Sequence, residues 1–133
     1  MTVDREEVMR LARFWATVSE EHNVEKFQTV LHDDFVMWYN FDPQDRTRAE
    51  FIETLKSAHA IFKDQKNEDA RITITDDGFV LQATMTGILD GTPISSPYCF
   101  IARVRDGLIV RGDEYFDTAQ LTKRAGRPGE GMV

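Results

Sequence analysis

The sequence predicts a single α+β domain in which a cone-shaped, curved antiparallel sheet is wrapped by N-terminal helices. Apolar residues recur at helical spacing in most of the first half of the chain, and at a period of two from Arg71 to Phe116. Short turn signals separate the strand-like segments of the second half, which favours an antiparallel meander. The 133 residues suffice for one domain with its own core. We assign residues 1–124 to this domain and expect residues 125–133 to form a disordered tail.

Three helices are predicted before the meander. The first covers residues 4 to about 22, and Trp15 lies on its apolar stripe. A short helix over about 24–32 follows. Thr47-Arg48-Ala49-Glu50 has the form of a capping box and opens a long helix to about Lys66. The apolar stripe of this long helix comprises Phe51, Ile52, Leu55, Ala58, His59 and Phe62.

Five strands and a final short helix complete the prediction. The strands cover about 35–41, 71–75, 79–89, 94–105 and 108–116. We expect Asp42-Pro43-Gln44-Asp45 to form a turn, because aspartate and proline favour turns. Asp117 is predicted to cap a short helix that ends at about Lys123.

Charge and motif content exclude several classes of function. The formal net charge of −7 disfavours nucleic acid and membrane partners, since both carry negative charge. The single cysteine, Cys99, cannot form an internal disulfide, and the charged N-terminus is unlike a signal peptide. We therefore expect a cytoplasmic protein. Neither a metal-binding motif nor a glycine-rich phosphate loop is visible, so we expect neither a metal nor a cofactor.

Three local stretches resemble the SnoaL-like, nuclear-transport-factor-2-like superfamily, which includes the ketosteroid isomerases. Leu31-His32-Asp33-Asp34-Phe35-Val36 is similar to the entry into that family's first strand. Arg105-Asp106-Gly107-Leu108-Ile109-Val110 is similar to its last hairpin, and Glu114-Tyr115-Phe116-Asp117 to its strand ending. The resemblance covers almost the whole chain. It implies a fold and a small-molecule pocket, but no particular reaction.

The resemblance also selects which strand faces point inward. Side chains alternate between the two faces of a strand, but bulky residues occupy both faces of the first strand. Matching to the family places Tyr39 and Glu114 inside, and Trp38 outside. A shift of one residue would place Asp113 inside instead of Glu114. The predicted pocket-lining residues are Trp15, Met37, Leu55, Leu81, Met85, Ser96, Tyr98 and Phe100.

Tyr39, His59 and Glu114 are the predicted catalytic residues. A histidine and a carboxyl in an apolar pocket can exchange protons near neutral pH, and a tyrosine can donate to a developing oxyanion. Each has a structural alternative: His59 as a hydrogen-bonded core residue, Tyr39 as a packed ring, and Glu114 turned outward. His22 lies at a predicted helix end, where a solvated or helix-dipole role is the expected one.

No relative's complete catalytic set is present. Leu81 and Ala83 stand where the epoxide hydrolases would carry an arginine and an aspartate, and Tyr39 lies near the position of the isomerases' basic aspartate. Two hypotheses remain. The first is a cofactor-free lyase, isomerase or cyclase that transfers protons on a small apolar ligand. The second is a non-catalytic ligand-binding or assembly domain that forms a homodimer through the outer sheet face, with Trp38, Ile101 and Arg103.

Overall fold

The computed structural model describes residues 3–119, which form helices packed on one six-stranded sheet. The helices are α1 (Arg5–Val18), a 3-10 helix (Ser19–Glu21), α2 (Val24–Gln28) and α3 (Arg48–Ile61). The strands are β1 (Leu31–Tyr39), β2 (Asp42–Thr47), β3 (Phe62–Ile74), β4 (Gly78–Leu89), β5 (Thr92–Arg105) and β6 (Leu108–Phe116). The predicted helix from Asp117 extends beyond the described residues, and the predicted tail, 125–133, lies outside them.

The sheet has the strand order β2-β1-β6-β5-β4-β3. The predicted α+β class with a curved, unclosed sheet and covering helices is confirmed. The sheet is not entirely antiparallel as predicted. Strands β1 and β6 pair in parallel, while the other neighbouring strands pair antiparallel. This parallel pair joins distant parts of the chain and sets Tyr39 beside Glu114. The described residues include no helix long and apolar enough to cross a membrane, and the cytoplasmic location stays a prediction.

The predicted turn at 42–45 is wrong. Asp42–Thr47 is the edge strand β2, and the chain reverses at Asn40 and Phe41. An edge strand tolerates proline and charged residues, since one of its sides makes no ladder hydrogen bonds. The Asn40 amide then fixes the reversal, because its Nδ2 donates to the Phe116 carbonyl and its Oδ1 accepts from the Phe116 N–H.

The predicted capping box at the start of α3 is present. Thr47 accepts from the Glu50 N–H, and the Glu50 carboxylate accepts from the Thr47 N–H. The end of the helix was predicted too late, because α3 stops at Ile61 and not at Lys66. Strand β3 begins at the next residue, nine residues before the predicted start at Arg71.

Strand β3 is an edge strand whose first half is almost entirely polar, which explains why its pattern does not predict a strand. Its pairing with β4 shifts register between Lys63 and Lys66 and again between Glu68 and Arg71. Asp64 and Asp69 lie within these irregularities at φ values of 53° and 55°. Bulges of this kind bend a strand and increase its twist, so they contribute to the curvature that lets the sheet wrap the helices.

The core lies between the concave face of the sheet and α1. The Trp15 ring stacks on Phe100 with centroids 4.4 Å apart and an interplanar angle of 3°. Gly112 makes room for this stack, since a Cβ there would lie 2.5 Å from Cε1 of Phe100. As predicted, Phe35, Met37 and Tyr39 of β1 face the core. The same holds for alternate residues of β4 and β5, including Leu81, Ala83, Met85, Ser96, Tyr98 and Phe100.

Candidate functional site

A cavity of about 90 Å³ lies between the concave face of the sheet, α1 and α3. Aromatic side chains form much of its wall: Trp15, Phe27, Tyr39, Phe41, Phe51, Phe62, Tyr98 and Phe116. The polar side chains that reach it include those of His59, Gln65, Asn67 and Glu114. An apolar cavity with a few polar groups is the usual form of a small-ligand site.

The Glu114 wall is built by three neighbouring strands. Tyr39 of β1 stands opposite Glu114 of β6 in the parallel pair, and Phe100 of β5 stands opposite Glu114 on the other side. Tyr98 lies two residues before Phe100 and therefore faces the same side of the sheet. The predicted inward direction of Glu114 is thus what the structure shows, and Asp113 points away and bonds to Arg111.

Glu114 has no hydrogen-bond donor for its carboxyl within residues 3–119. Glu114 is half-buried, and its side chain borders the cavity. Burial without a compensating partner disfavours the charged form of a carboxyl. Desolvation accordingly raises the pKa of Glu114 to about 8, so this side chain holds a proton at neutral pH.

Both tyrosines of this wall stay protonated over the whole physiological range. Burial raises the pKa of Tyr39 well above its usual value, with a smaller contribution from the nearby Glu114. The Arg46 guanidinium, 4.9 Å from the centre of the Tyr39 ring, acts in the opposite direction. Burial and Glu114 also raise the pKa of Tyr98. At neutral pH this wall therefore presents three uncharged groups that can donate a hydrogen bond.

His59 approaches the cavity from α3, on the side away from the sheet. Its ring stacks on His22, with centroids 4.5 Å apart and an interplanar angle of 9°. Burial, and secondarily the neighbouring His22, lowers the pKa of His59 below its usual value. The imidazole is therefore neutral at pH 7 and can accept a proton. His22 was expected to be solvated or to complement a helix dipole; its Nε2 is instead buried, and no group of residues 3–119 bonds to it.

The predicted pocket-lining residues divide into two groups. Trp15, Leu55, Met85 and Tyr98 border the cavity. The other four face inward and are buried, but they do not border this cavity: Met37, Leu81, Ser96 and Phe100. Phe100 is covered by Trp15, and the Ser96 hydroxyl donates to the Asp117 carbonyl over 2.9 Å. Alternation along a strand indicates the face but not the depth at which a helix covers it.

Gln65 and Asn67 of β3 also reach the cavity and were missed by the sequence reasoning. The predicted helix to about Lys66 includes Gln65, and Asn67 lies between that helix and the strand predicted from Arg71, so the patterns predict no strand face for either residue. Gln65 and Asn67 are two positions apart in a polar stretch. In a strand this spacing puts both side chains on the same face, and it is the one local signal that could have indicated them. Among residues 3–119 there is no cluster of three or more histidine, cysteine or acidic side chains that could hold a metal ion.

The fold and the cavity define a class of small α+β proteins in which a bent sheet and its helices enclose one apolar site. The family model of the SnoaL-like domain matches residues 11–112 of the chain. The chain therefore belongs to the SnoaL-like family, and the resemblance noted in the sequence is confirmed. None of the curated proteins matches this sequence.

Several solved structures share the fold at low sequence identity. PrhC from Penicillium brasilianum has a TM-score of 0.82 and 15% identity, covering 96% of this chain and 95% of its own. The BvnE pinacolase from Penicillium brevicompactum has a TM-score of 0.80 and 13% identity, covering 92% and 94%. A candidate polyketide cyclase from Xanthomonas campestris has a TM-score of 0.78 and 19% identity, covering 87% and 94%. At these identities the comparison shows the fold alone.

Proposed function

We propose that the chain is a cofactor-independent enzyme of the isomerase, lyase or cyclase type, which transfers protons on a small, uncharged, largely apolar substrate with a carbonyl group. The observation behind the proposal is the Glu114 carboxyl, which borders an apolar cavity, has no hydrogen-bond partner among residues 3–119 and has its pKa raised to about 8. A group of this kind destabilises the fold but is suited to proton transfer near neutral pH. The similar structures described as a cyclase and a pinacolase support the same class of chemistry.

The uncharged wall and the neutral histidine suggest complementary roles. Protonated Glu114 is the general acid, which donates to the carbonyl oxygen as negative charge develops there. Tyr39 and Tyr98 stabilise that oxygen by hydrogen bonds. His59, on the α3 side of the cavity, is the base that takes the proton from the neighbouring carbon. An uncharged site of this type disfavours anionic substrates, since the described residues that line it include no lysine or arginine to pair with them.

Exchange of the α-protons of cyclic ketones for deuterium, followed by proton NMR in D₂O, tests this proposal. We expect the wild-type protein to catalyse the exchange and Glu114→Gln to slow it by about 100-fold or more, because glutamine cannot give up a proton. The matched control is Glu68→Gln, since Glu68 is an exposed glutamate of β3. Equal rates for the wild type and Glu114→Gln would exclude Glu114 as the acid.

The same exchange reaction should depend on pH in two steps. The rate rises with pH as His59 loses its proton, at a pKa below the usual histidine value, and falls above about pH 8 as Glu114 ionises. A His59→Gln variant should lose the lower limb but keep the upper one. If the exchange rate of Glu114→Gln still falls above about pH 8, that fall is not caused by Glu114, and Glu114 is not the acid.

A second candidate function is a non-catalytic binding or assembly domain that forms a homodimer. Exposed apolar side chains on the outer face of the sheet favour such a homodimer, since Ile101 and Tyr115 are 38% and 44% exposed there. The Trp38 ring lies against Tyr115 with centroids 5.2 Å apart. Exposed aromatic and aliphatic side chains of this kind are enriched at protein interfaces. Dimerisation is compatible with catalysis, because the cavity lies on the opposite, concave face of the sheet.

A further inference from the structure

The β3 wall of the cavity carries an amide without a good hydrogen-bond acceptor. Nε2 of Gln65 donates to Sδ of Met85 at 3.5 Å, and a thioether is a weak acceptor. Its neighbour Asn67 differs, since Nδ2 of Asn67 donates to the Ala16 carbonyl over 2.7 Å. Asn67 thus connects β3 to α1, while the Gln65 amide remains available to a molecule in the cavity.

A polar group that borders an apolar cavity and lacks a strong partner costs free energy in the empty state. A ligand or a water molecule can supply the missing bond. Glu114 has the same property on its own wall, since no group of residues 3–119 donates to it. Nδ1 of His59, on the α3 side of the same cavity, is buried without a partner among residues 3–119 as well. On the sheet side the cavity therefore has two polar ends that lack a strong partner, Gln65 on β3 and Glu114 on β6.

The two ends stand on strands that are not neighbours, and we place them at opposite sides of the cavity. Strands β5 and β4 separate β6 from β3, and three strand spacings amount to about 14 Å along the sheet. A ligand that contacts both Gln65 and Glu114 must carry two oxygen functions with an apolar body between them. The protonated Glu114 end, with Tyr39 and Tyr98, suits an acceptor oxygen. The amide, which both donates and accepts, suits a hydroxyl or a second carbonyl.

We infer that Gln65 is the second ligand anchor and that the substrates are compact, uncharged molecules with a carbonyl at one end and a hydroxyl or carbonyl at the other. The carbonyl end of this inference rests on the proposed function. The Gln65 end does not, because it follows from the geometry of β3. Gln65 contacts the substrate but takes no part in the proton transfer.

Two ketones of nearly equal size, 4-hydroxycyclohexanone and 4-methylcyclohexanone, test the inference by NMR titration of the wild-type protein. An apolar cavity without an anchor would favour the methyl compound, because burying an unpaired hydroxyl is costly. With the anchor we expect the hydroxyl compound to bind about fivefold more tightly, which is the effect of one additional net hydrogen bond.

The Gln65→Met and Gln65→Asn variants should lose this preference, and in Gln65→Met the methyl compound should bind at least as tightly. Gln82→Leu is the matched control, since Gln82 is exposed on the outer face of β4 and should leave the preference unchanged. Thermal unfolding of each variant shows that it is folded.

Equal affinities in the wild type, no binding of either ketone, or a preference that survives in both Gln65 variants would overturn the inference. The proposed function is tested separately by the carboxyl carbon-13 signal of Glu114. If both ketones shift that signal but bind with equal affinity, the acid end is correct and the Gln65 anchor is wrong. If the hydroxyl compound is preferred but leaves the signal unchanged, the anchor is correct and the proposed acid is wrong.

Discussion

At the scale of single residues, the surroundings of a glutamate decide its chemistry. Glu50 and Glu114 have the same side chain and opposite pKa shifts. The backbone and side-chain hydrogen bonds of Glu50 with Thr47 lower its pKa, because they favour the charged form. Within the described part of the chain Glu114 receives no such bonds, and burial raises its pKa to about 8. Glu50 therefore stabilises a helix end, while Glu114 is available for proton transfer.

The pKa of Glu114 predicts a pH-dependent stability. Between about pH 4.5 and 8 the folded state keeps a proton that the unfolded state loses, so the free energy of unfolding falls as pH rises through this window. The Glu114→Gln variant has no carboxyl at this position, so its free energy of unfolding should not show this fall. We expect the variant to be more stable than the wild type by a few kcal/mol at pH 8.5 and nearly equal to it at pH 4.5, measured by thermal unfolding.

The control for that comparison is Glu68→Gln, which replaces an exposed glutamate of the same sheet. It should show no such divergence between the two pH values. A stability difference between Glu114→Gln and the wild type that does not change with pH would mean that Glu114 titrates near its ordinary pKa in the folded protein.

At the scale of elements, β3 determines the shape of the cavity wall. It is an edge strand, and its two irregularities contain Asp64 and Asp69 in the left-handed region. Gln65 directly follows Asp64, so the first irregularity sets where the amide enters the cavity. Aspartate is one of the few residues other than glycine that tolerates this backbone conformation.

Substitutions at Asp64 measure how strongly the fold requires a residue that tolerates the left-handed backbone conformation at this position. Asp64→Ala should lower the free energy of unfolding by about 1 kcal/mol, because the alanine Cβ disfavours a positive φ. Asp64→Gly should retain stability close to the wild type, since glycine adopts this conformation without a steric penalty. Urea unfolding measures both. Equal stability of the alanine and glycine variants would show that the backbone changes conformation at this position.

At the scale of the whole molecule, the two faces of the sheet have different uses. The concave face carries the core and the cavity. The outer face exposes Ile101 and Tyr115, and an open groove of about 800 Å³ passes beside Tyr115 and Cys99. The net charge of −7 opposes association in general, so a dimer would need this apolar patch to hold it together.

Replacing Ile101 by glutamate tests the proposed dimer. We expect the wild type to sediment as a dimer and Ile101→Glu as a folded monomer, because a buried unpaired charge is costly at an interface. Ile61→Glu is the matched control, since Ile61 is 39% exposed at the end of α3, away from this face. A monomeric wild type would remove the assembly proposal and leave the catalytic one unaffected.

Local patterns in the sequence determined the α+β class, the helix order and the capping box at Thr47, since periodicity and capping need only neighbouring residues. The inward faces of β1, β4, β5 and β6 came from the resemblance to the family, because alternation shows which residues share a face but not which face is buried. The sequence did not reveal β3, whose polar first half forms a strand because β4 offers it hydrogen bonds.

Only the tertiary structure decided which inward residues reach the cavity and which of them lack partners. The parallel pairing of β1 with β6 brings Tyr39 beside Glu114 across 75 positions of sequence, and α1 covers Phe100 while leaving Tyr98 exposed to the cavity. Depth and the absence of a hydrogen bond depend on packing between distant segments. A pattern of neighbouring residues contains no information on either quantity.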